Sequence, residues 1–214
     1  RLHKSIEEVL YPAMESYVLD LVVGQGPGAK TLRIDLPPFT LIGATTRVGM
    51  LGAPLRDRFG MTYRLEFYDT AEMKKILSRS AQLLGLRIED SALSEIAERC
   101  RKTPRIGNRL LKRVRDVAQV GGYSAITVDV VQQTLALLNI DPKGLDASDR
   151  LVLSTIIDTF NGGPVGLATL AMVCAEEDQT IEDVIEPFLI QCGFLARTPR
   201  GREVTNAGYD HMGK

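Results

Sequence analysis

The sequence predicts an α/β portion followed by two helical portions, the second of which ends in a short hairpin. Three observations predict it. Between residues 17 and 44, apolar residues alternate or run together as in half-buried and fully buried strands. Between 70 and 143 they recur at three- and four-residue spacing, segment after segment. Between 144 and 214, three helical segments precede two strand-like runs around a Pro-Arg-Gly tip.

Each element has a local cause. Ser5-Ile-Glu-Glu8 reads as a capping box ahead of Val9, Leu10, Ala13 and Met14, and Pro12 is expected to end or kink that helix. Residues 17–23 and 31–36 read as strands of a hairpin. In the second, Leu32, Ile34 and Leu36 face one way and Arg33 and Asp35 the other. Phe39-Thr-Leu-Ile-Gly-Ala44 reads as a strand buried on both faces, ending at Thr45-Thr46-Arg47. Polar groups at such a strand end are where α/β sheets place ligands. Met61 to Phe67 reads as a further strand. Asp69-Thr-Ala-Glu72 caps a helix carrying Met73, Ile76, Leu77, Ala81 and Leu84. Leu93, Ile96, Ala97 and Cys100 mark a second helix. Ile106, Leu110, Leu111, Val114 and Val117 mark a third, and Val131, Leu135 and Leu138 a fourth. Four short helices in this span make a small bundle. A linker follows near Asn139-Ile-Asp-Pro-Lys-Gly144. The last portion has helices at 151–160, 165–174 and 180–192, then a hairpin over 194–205. Three helices and a hairpin are the order of a winged helix, a helix-turn-helix variant. The expected domains are therefore 1–69, 70–143 and 144–214.

Composition narrows the function classes. The 214 residues carry 26 basic and 27 acidic side chains, so nucleic acid binds only through a local patch. The middle portion has thirteen basic and eight acidic groups, the last portion five and eleven. Cys100, Cys174 and Cys192 are far apart, and His3 and His211 lie at opposite ends, a pattern without a zinc site. Three cysteines and no signal peptide favour a reducing cytoplasm, and no apolar run approaches a membrane span. The chain opens Arg1-Leu2-His3-Lys4 and enters a helical pattern at once, as a piece of something longer would.

Gly24-Gln-Gly-Pro-Gly-Ala29-Lys30-Thr31 nearly fits G-x-x-x-x-G-K-[ST]. Ala29 stands where the pattern wants glycine, and a strand follows where phosphates need a helix N-terminus, so a hairpin tip is expected. The apolar residues of that hairpin fit either sheet burial or a docking surface. Arg56-Asp-Arg58-Phe59 fits a surface ion pair or an arginine that reaches a phosphate. Eight basic residues lie between Arg99 and Arg115. Arg105, Arg109, Lys112 and Arg113 share one helical face, either solvated or anion-binding. Arg197-Thr-Pro-Arg200-Gly-Arg202 puts three arginines on a tight hairpin, suited to DNA phosphates or to solvent. The helix before it carries Glu182, Asp183 and Glu186, which should repel a phosphate backbone. Sequence-indifferent contact through the hairpin is therefore favoured over groove reading.

Five strings, Glu7-Glu-Val-Leu-Tyr-Pro-Ala-Met-Glu15, residues 34–47, Pro54-Leu-Arg-Asp-Arg-Phe-Gly60, Thr103-Pro-Arg-Ile-Gly-Asn-Arg-Leu-Leu111 and Arg197-Thr-Pro-Arg-Gly-Arg202, closely resemble the RuvB family over essentially the whole chain. These are bacterial AAA+ motors of Holliday junction branch migration. The resemblance implies the C-terminal part of an AAA+ P-loop ATPase domain, then an all-α AAA+ lid, then a winged-helix domain. It implies Thr46 as sensor 1, Arg58 as the arginine finger given to a neighbouring subunit's ATP, and Arg105 as sensor 2. It also implies Tyr68 and Pro104 at the adenine and ribose. It places Arg197, Arg200 and Arg202 on DNA, and Leu19, Leu21, Val23, Leu32 and Ile34 on a RuvA-docking face. A hexameric ring, possible association with RuvC, no metal ligand in these residues, and a bacterial cytoplasmic, nucleoid-associated location complete it. The implied cofactors are ATP and Mg²⁺, held mainly by Walker A and Walker B segments that this sequence does not contain. Residues 1–69 are therefore expected to be poorly stable alone, and the chain to be inactive as an ATPase by itself. Two other classes stay open: a non-catalytic DNA- or RuvA-binding module, and a nucleotide enzyme built on Lys30.

Overall fold

A computed structural model of the chain describes residues 3–23 and 30–214. These fall into two compact units, 1–65 and 66–214, described separately below. The expected hairpin tip at 24–29 lies outside the described residues.

In the first unit, α1 (Lys4–Ser16) is capped by His3, whose ring accepts from the Ser5 N–H, rather than by Ser5 itself. The helix runs through Pro12 to Ser16, so Pro12 does not end it. Proline deletes one N–H donor, a loss the helix here accommodates. β1 (Val18–Val23) and β2 (Lys30–Asp35) pair antiparallel, with Leu19 opposite Ile34 and Leu21 opposite Leu32. Directly opposed residues share a face, so these four side chains form one apolar face. The other face carries the Asp20–Arg33 ion pair at 2.9 Å.

The expected buried strand at 39–44 is irregular instead, and Ile42 is 88% exposed. Met61 to Phe67 is irregular and exposed as well. A strand exists only as part of a ladder. Among the described residues, the only sheets are β1–β2 and a second two-stranded one, so neither segment has a neighbour. A short helix, α2 (Ala53–Arg56), packs against α1, and Leu55 of α2 and Ala13 of α1 are both buried.

The second unit has two hydrophobic cores. α3 (Thr70–Leu83) starts with the Asp69–Glu72 capping box read from the sequence. α4 (Asp90–Arg99), α5 (Pro104–Val120) and α6 (Val128–Leu137) complete a four-helix group around Met73, Leu77, Ile96, Leu111, Val114 and Val131. α5 lies close on α3: a Cβ added at Gly107 would stand 3.0 Å from Met73 Cε.

The second core belongs to residues 145–212. α7 (Ala147–Phe160) begins at an Asp146–Asp149 capping box. α8 (Leu167–Cys174) follows a turn, and α9 (Asp178–Thr180) continues into a π-helical stretch (Ile181–Ile185) and α10 (Glu186–Gln191). β3 (Leu195–Thr198) and β4 (Gly201–Val204) form the hairpin, with Arg197 opposite Arg202. α11 (Asn206–Met212), which the sequence pattern did not reveal, closes the chain. The order of three helices and a wing is the one expected. No described helix is long and apolar enough to cross a membrane.

Candidate functional site

Three groups of residues carry the candidate chemistry. The first is Arg58, just after α2. Its guanidinium pairs with Glu15 at 2.7 Å, donates to the Pro54 carbonyl at 2.7 Å, and lies 4.5 Å over the Tyr11 ring. The helical spacing of four between Tyr11 and Glu15 puts both on one side of α1, which is why they meet the same arginine. Neither residue was singled out by the sequence reading. Thr46, in the same unit, is exposed in a bend, and the adjoining Thr45 hydroxyl accepts from the Arg47 N–H. With no strand at 39–44, Thr46 is not held at a strand end.

The second group is the start of α5. Pro104 opens the helix, and its missing N–H costs nothing at that position. Arg105 follows, exposed and without an ion pair among the described residues, so its charge adds to the positive end of a 17-residue helix. The arrangement suits an anionic ligand. Tyr68, the other expected nucleotide contact in this unit, is 43% exposed ahead of α3. Further along α5, Arg109 and Arg113 line a cleft of about 320 Å³ whose walls include Ile106, Leu110, Leu138 and Ile140. Among the described residues no group of His, Cys, Asp and Glu is placed to hold a metal ion.

The third group is the wing, and here the sequence expectation needs correction. Arg202 was expected on DNA with Arg197 and Arg200. Its side chain is instead 8% exposed and bonded to the buried Glu186 carboxylate at 2.9 Å. β4 turns Arg202 inward over α10, so its guanidinium is unavailable to a phosphate. Arg197, half exposed, pairs with Glu182 at 3.2 Å and faces Glu186 at 3.7 Å. Among the described residues, Arg200 alone of the three is exposed without an ion pair. The acidity of the preceding helix is correspondingly smaller than its composition suggests, since Glu182 and Glu186 are both answered by arginines of the hairpin. Glu186 was legible only as a surface acid. Its i+16 partner is set by the wing register, which helical periodicity does not encode.

On the β1–β2 hairpin, Leu21, Leu32 and Ile34 are exposed at 36%, 53% and 38%, and Leu19 is half-buried. They form a continuous apolar face on a ribbon with no sheet behind it among the described residues.

Models of three protein families match the chain in succession. These are the Holliday junction DNA helicase RuvB P-loop domain at 1–65, the RuvB AAA lid domain at 68–141, and the RuvB C-terminal winged helix domain at 142–213. Solved structures agree. The Thermotoga maritima RuvB Holliday junction branch migration motor is 49% identical, with a TM-score of 0.83, over 100% of this chain and 66% of that one. Two single-substitution forms of Thermotoga maritima RuvB are 48% identical, with TM-scores of 0.83 and 0.85, covering 99% and 100% of this chain and 66% and 67% of theirs. The chain thus spans about two thirds of these relatives' length. Matched from end to end, by three consecutive domain families and by close structural relatives, the chain belongs to the RuvB family.

Proposed function

We propose that these residues form the lid, the wing and part of the ATPase domain of an ATP-driven DNA translocase subunit that moves Holliday junctions in a bacterial cytoplasm. The observation that carries the reading is the end-to-end match, in order, to the three RuvB segments. The geometry supports specific roles. Arg105, an unpaired cation on the first turn of α5, binds nucleotide phosphate, with Pro104 and Tyr68 against the base and sugar. Thr46 senses the γ-phosphate. Arg58 completes the ATP site of a neighbouring subunit in a hexameric ring, after leaving Glu15 and Tyr11. A guanidinium there stabilises the charge that spreads over a transferring phosphoryl group. The residues present fit the phosphate end of ATP, and among the described residues no cluster of His, Cys, Asp and Glu is placed to hold Mg²⁺. The 214 residues by themselves therefore do not turn ATP over.

Arg200 at the wing tip contacts the DNA backbone, and Arg197 joins it when released from Glu182. Both act on phosphates, which positions the protein without reading sequence. The face formed by Leu19, Leu21, Leu32 and Ile34 docks an apolar surface of RuvA. A complex with RuvA and RuvC on one junction follows from the same reading.

The test is binding of the purified chain to a four-way DNA junction across a salt series, together with ATPase and RuvA-binding assays. Expected are salt-dependent junction binding, no ATP turnover, and RuvA binding that Leu32→Asp abolishes. ATP turnover by the chain alone would overturn the inactivity. RuvA binding indifferent to Leu32→Asp would remove the docking face. Salt-independent or absent junction binding would refute the wing assignment.

A further inference from the structure

Between α4 and α5 the backbone makes an unusual turn. Arg101 and Lys102 both adopt left-handed conformations, with φ of 54° and 52°. Non-glycine residues rarely adopt this conformation, so two in succession need contacts elsewhere to hold them. It sends the Arg101 side chain out of the first core of the unit and into the second. The guanidinium donates to the Gly144 carbonyl at 3.1 Å, to Asp146 at 2.9 Å and to Asp149 at 2.5 Å, and it stacks 4.3 Å over the Phe188 ring of α10. Arg101 is 13% exposed and Asp149 is 1% exposed. One side chain of the lid thus joins the capping box of α7 to α10.

The connecting segment is fastened from its other side. Arg150 of α7 donates to the Asn139 carbonyl at 2.8 Å, to the Asn139 side chain at 2.7 Å and to the Leu145 carbonyl at 2.9 Å. Asp141 accepts the Lys143 and Leu145 N–H groups at 2.9 Å and meets His211 of α11 at 2.8 Å. Residues 139–146 look like a linker in sequence, yet they carry a bonded partner on each side. The turn that bears Arg101 also leads straight into Pro104 and Arg105.

We propose that Arg101 is a positioning residue that locks the winged-helix domain to the lid, so that a nucleotide-driven movement of the lid reaches the wing undiminished. The consequence for transport rests on the translocase reading above; the lock itself does not. Without Arg101 the connecting segment is fastened by Arg150 and His211, both of the winged-helix domain, so the wing would reorient with it and absorb the stroke. A guanidinium suits the task because its planar fork bonds several acceptors at once while its face lies on an aromatic ring, which an ammonium cannot do.

The experiment is backbone NMR relaxation on the full 214-residue chain, free of nucleotide and DNA. In the wild type, α3–α6 and α7–α11 share one rotational correlation time. In Arg101→Ala the two times separate, that of α7–α11 falling by up to about half, since the winged-helix domain carries about half of the unit's mass. Amide protection in both cores persists, and junction affinity is unchanged because the partners of Arg101, namely Gly144, Asp146, Asp149 and Phe188, lie outside the wing. Arg101→Lys keeps a charge beside Asp149 and guards against loss of the fold. It too is expected to separate the times, because it cannot span Gly144, Asp146, Asp149 and Phe188 together. A single shared time in the folded lysine variant overturns the lock. Failure of the chain to bind DNA, with the times still separating, would refute the translocase reading and leave the lock standing.

Discussion

The wing offers a quantitative test of how its arginines divide their work. Arg202 and Glu186 are 8% and 2% exposed and face each other at 2.9 Å. Replacing Arg202 with methionine keeps most of the volume and removes the charge. Glu186 then stays buried, with Arg197 at 3.7 Å as its remaining cation, and that arginine is half exposed and shared with Glu182. Stranding one member of a buried pair costs about 3–5 kcal/mol. In opening equilibria this is a factor on the order of a hundred to several thousand. The chain has several cores, so a single global midpoint would mix them. Hydrogen exchange of peptides from 147–212, read by mass spectrometry, isolates the domain concerned. Arg202→Met should speed exchange there by that factor and leave 70–137 unchanged. The double variant Arg202→Met, Glu186→Met should recover to within about 1 kcal/mol of wild type, since replacing a buried pair by apolar groups is often neutral. A single variant that exchanges like wild type would refute the reasoning. So would a double variant as damaged as the single one.

Three further outcomes are expected. Arg200→Ala should leave exchange and melting unchanged while lowering the slope of log affinity against log salt for junction DNA by about 1, measured by fluorescence anisotropy. Burial pushes the Asp149 carboxyl up to about 6, against roughly 4 in an unfolded chain. Between those values the folded state binds more protons than the unfolded one, so this group stabilises the fold as pH falls and the gain is lost as pH rises through 6. Relative to Asp149→Asn, the wild-type domain should gain up to about 3 kcal/mol between pH 7 and pH 4 in urea titrations, and a flat difference would contradict the assignment. Gly201 has φ 143° and packs so tightly that a Cβ would run into the Val165 carbonyl, so Gly201→Ala should destabilise the wing by about 2 kcal/mol or more in the same titrations.

Legibility followed the range of the forces involved. α3 and α5 could be read because their caps and apolar stripes are local: Asp69 and Glu72, Pro104, and the run from Ile106 to Val117 specify a helix with little outside help. The wing was legible for the same reason, since Pro199 and Gly201 fix a turn within a few residues. The segment 39–44 failed because a buried strand is a property of its neighbours, and Ile42 in an unpaired chain has nothing to lie against. Arg202 failed because a two-residue alternation says which residues share a face but not which face is inward. Arg101 was hidden in a basic run, where nothing but the fold distinguishes it from Lys102 beside it. The expected nucleotide roles came through the family strings; charge and spacing alone left Arg58 between a surface ion pair and a phosphate contact, and its contacts with Tyr11 and Glu15 required the folded helix.

The stretch from Phe39 to Phe67 has a consequence for how the chain behaves in solution. Ile42, Met61, Tyr63, Leu65 and Phe67 are apolar, largely exposed and carried on irregular backbone. That combination is what chaperones hold and what proteases thread as an added strand. In solution such a surface should drive the chain to associate with itself as its concentration rises.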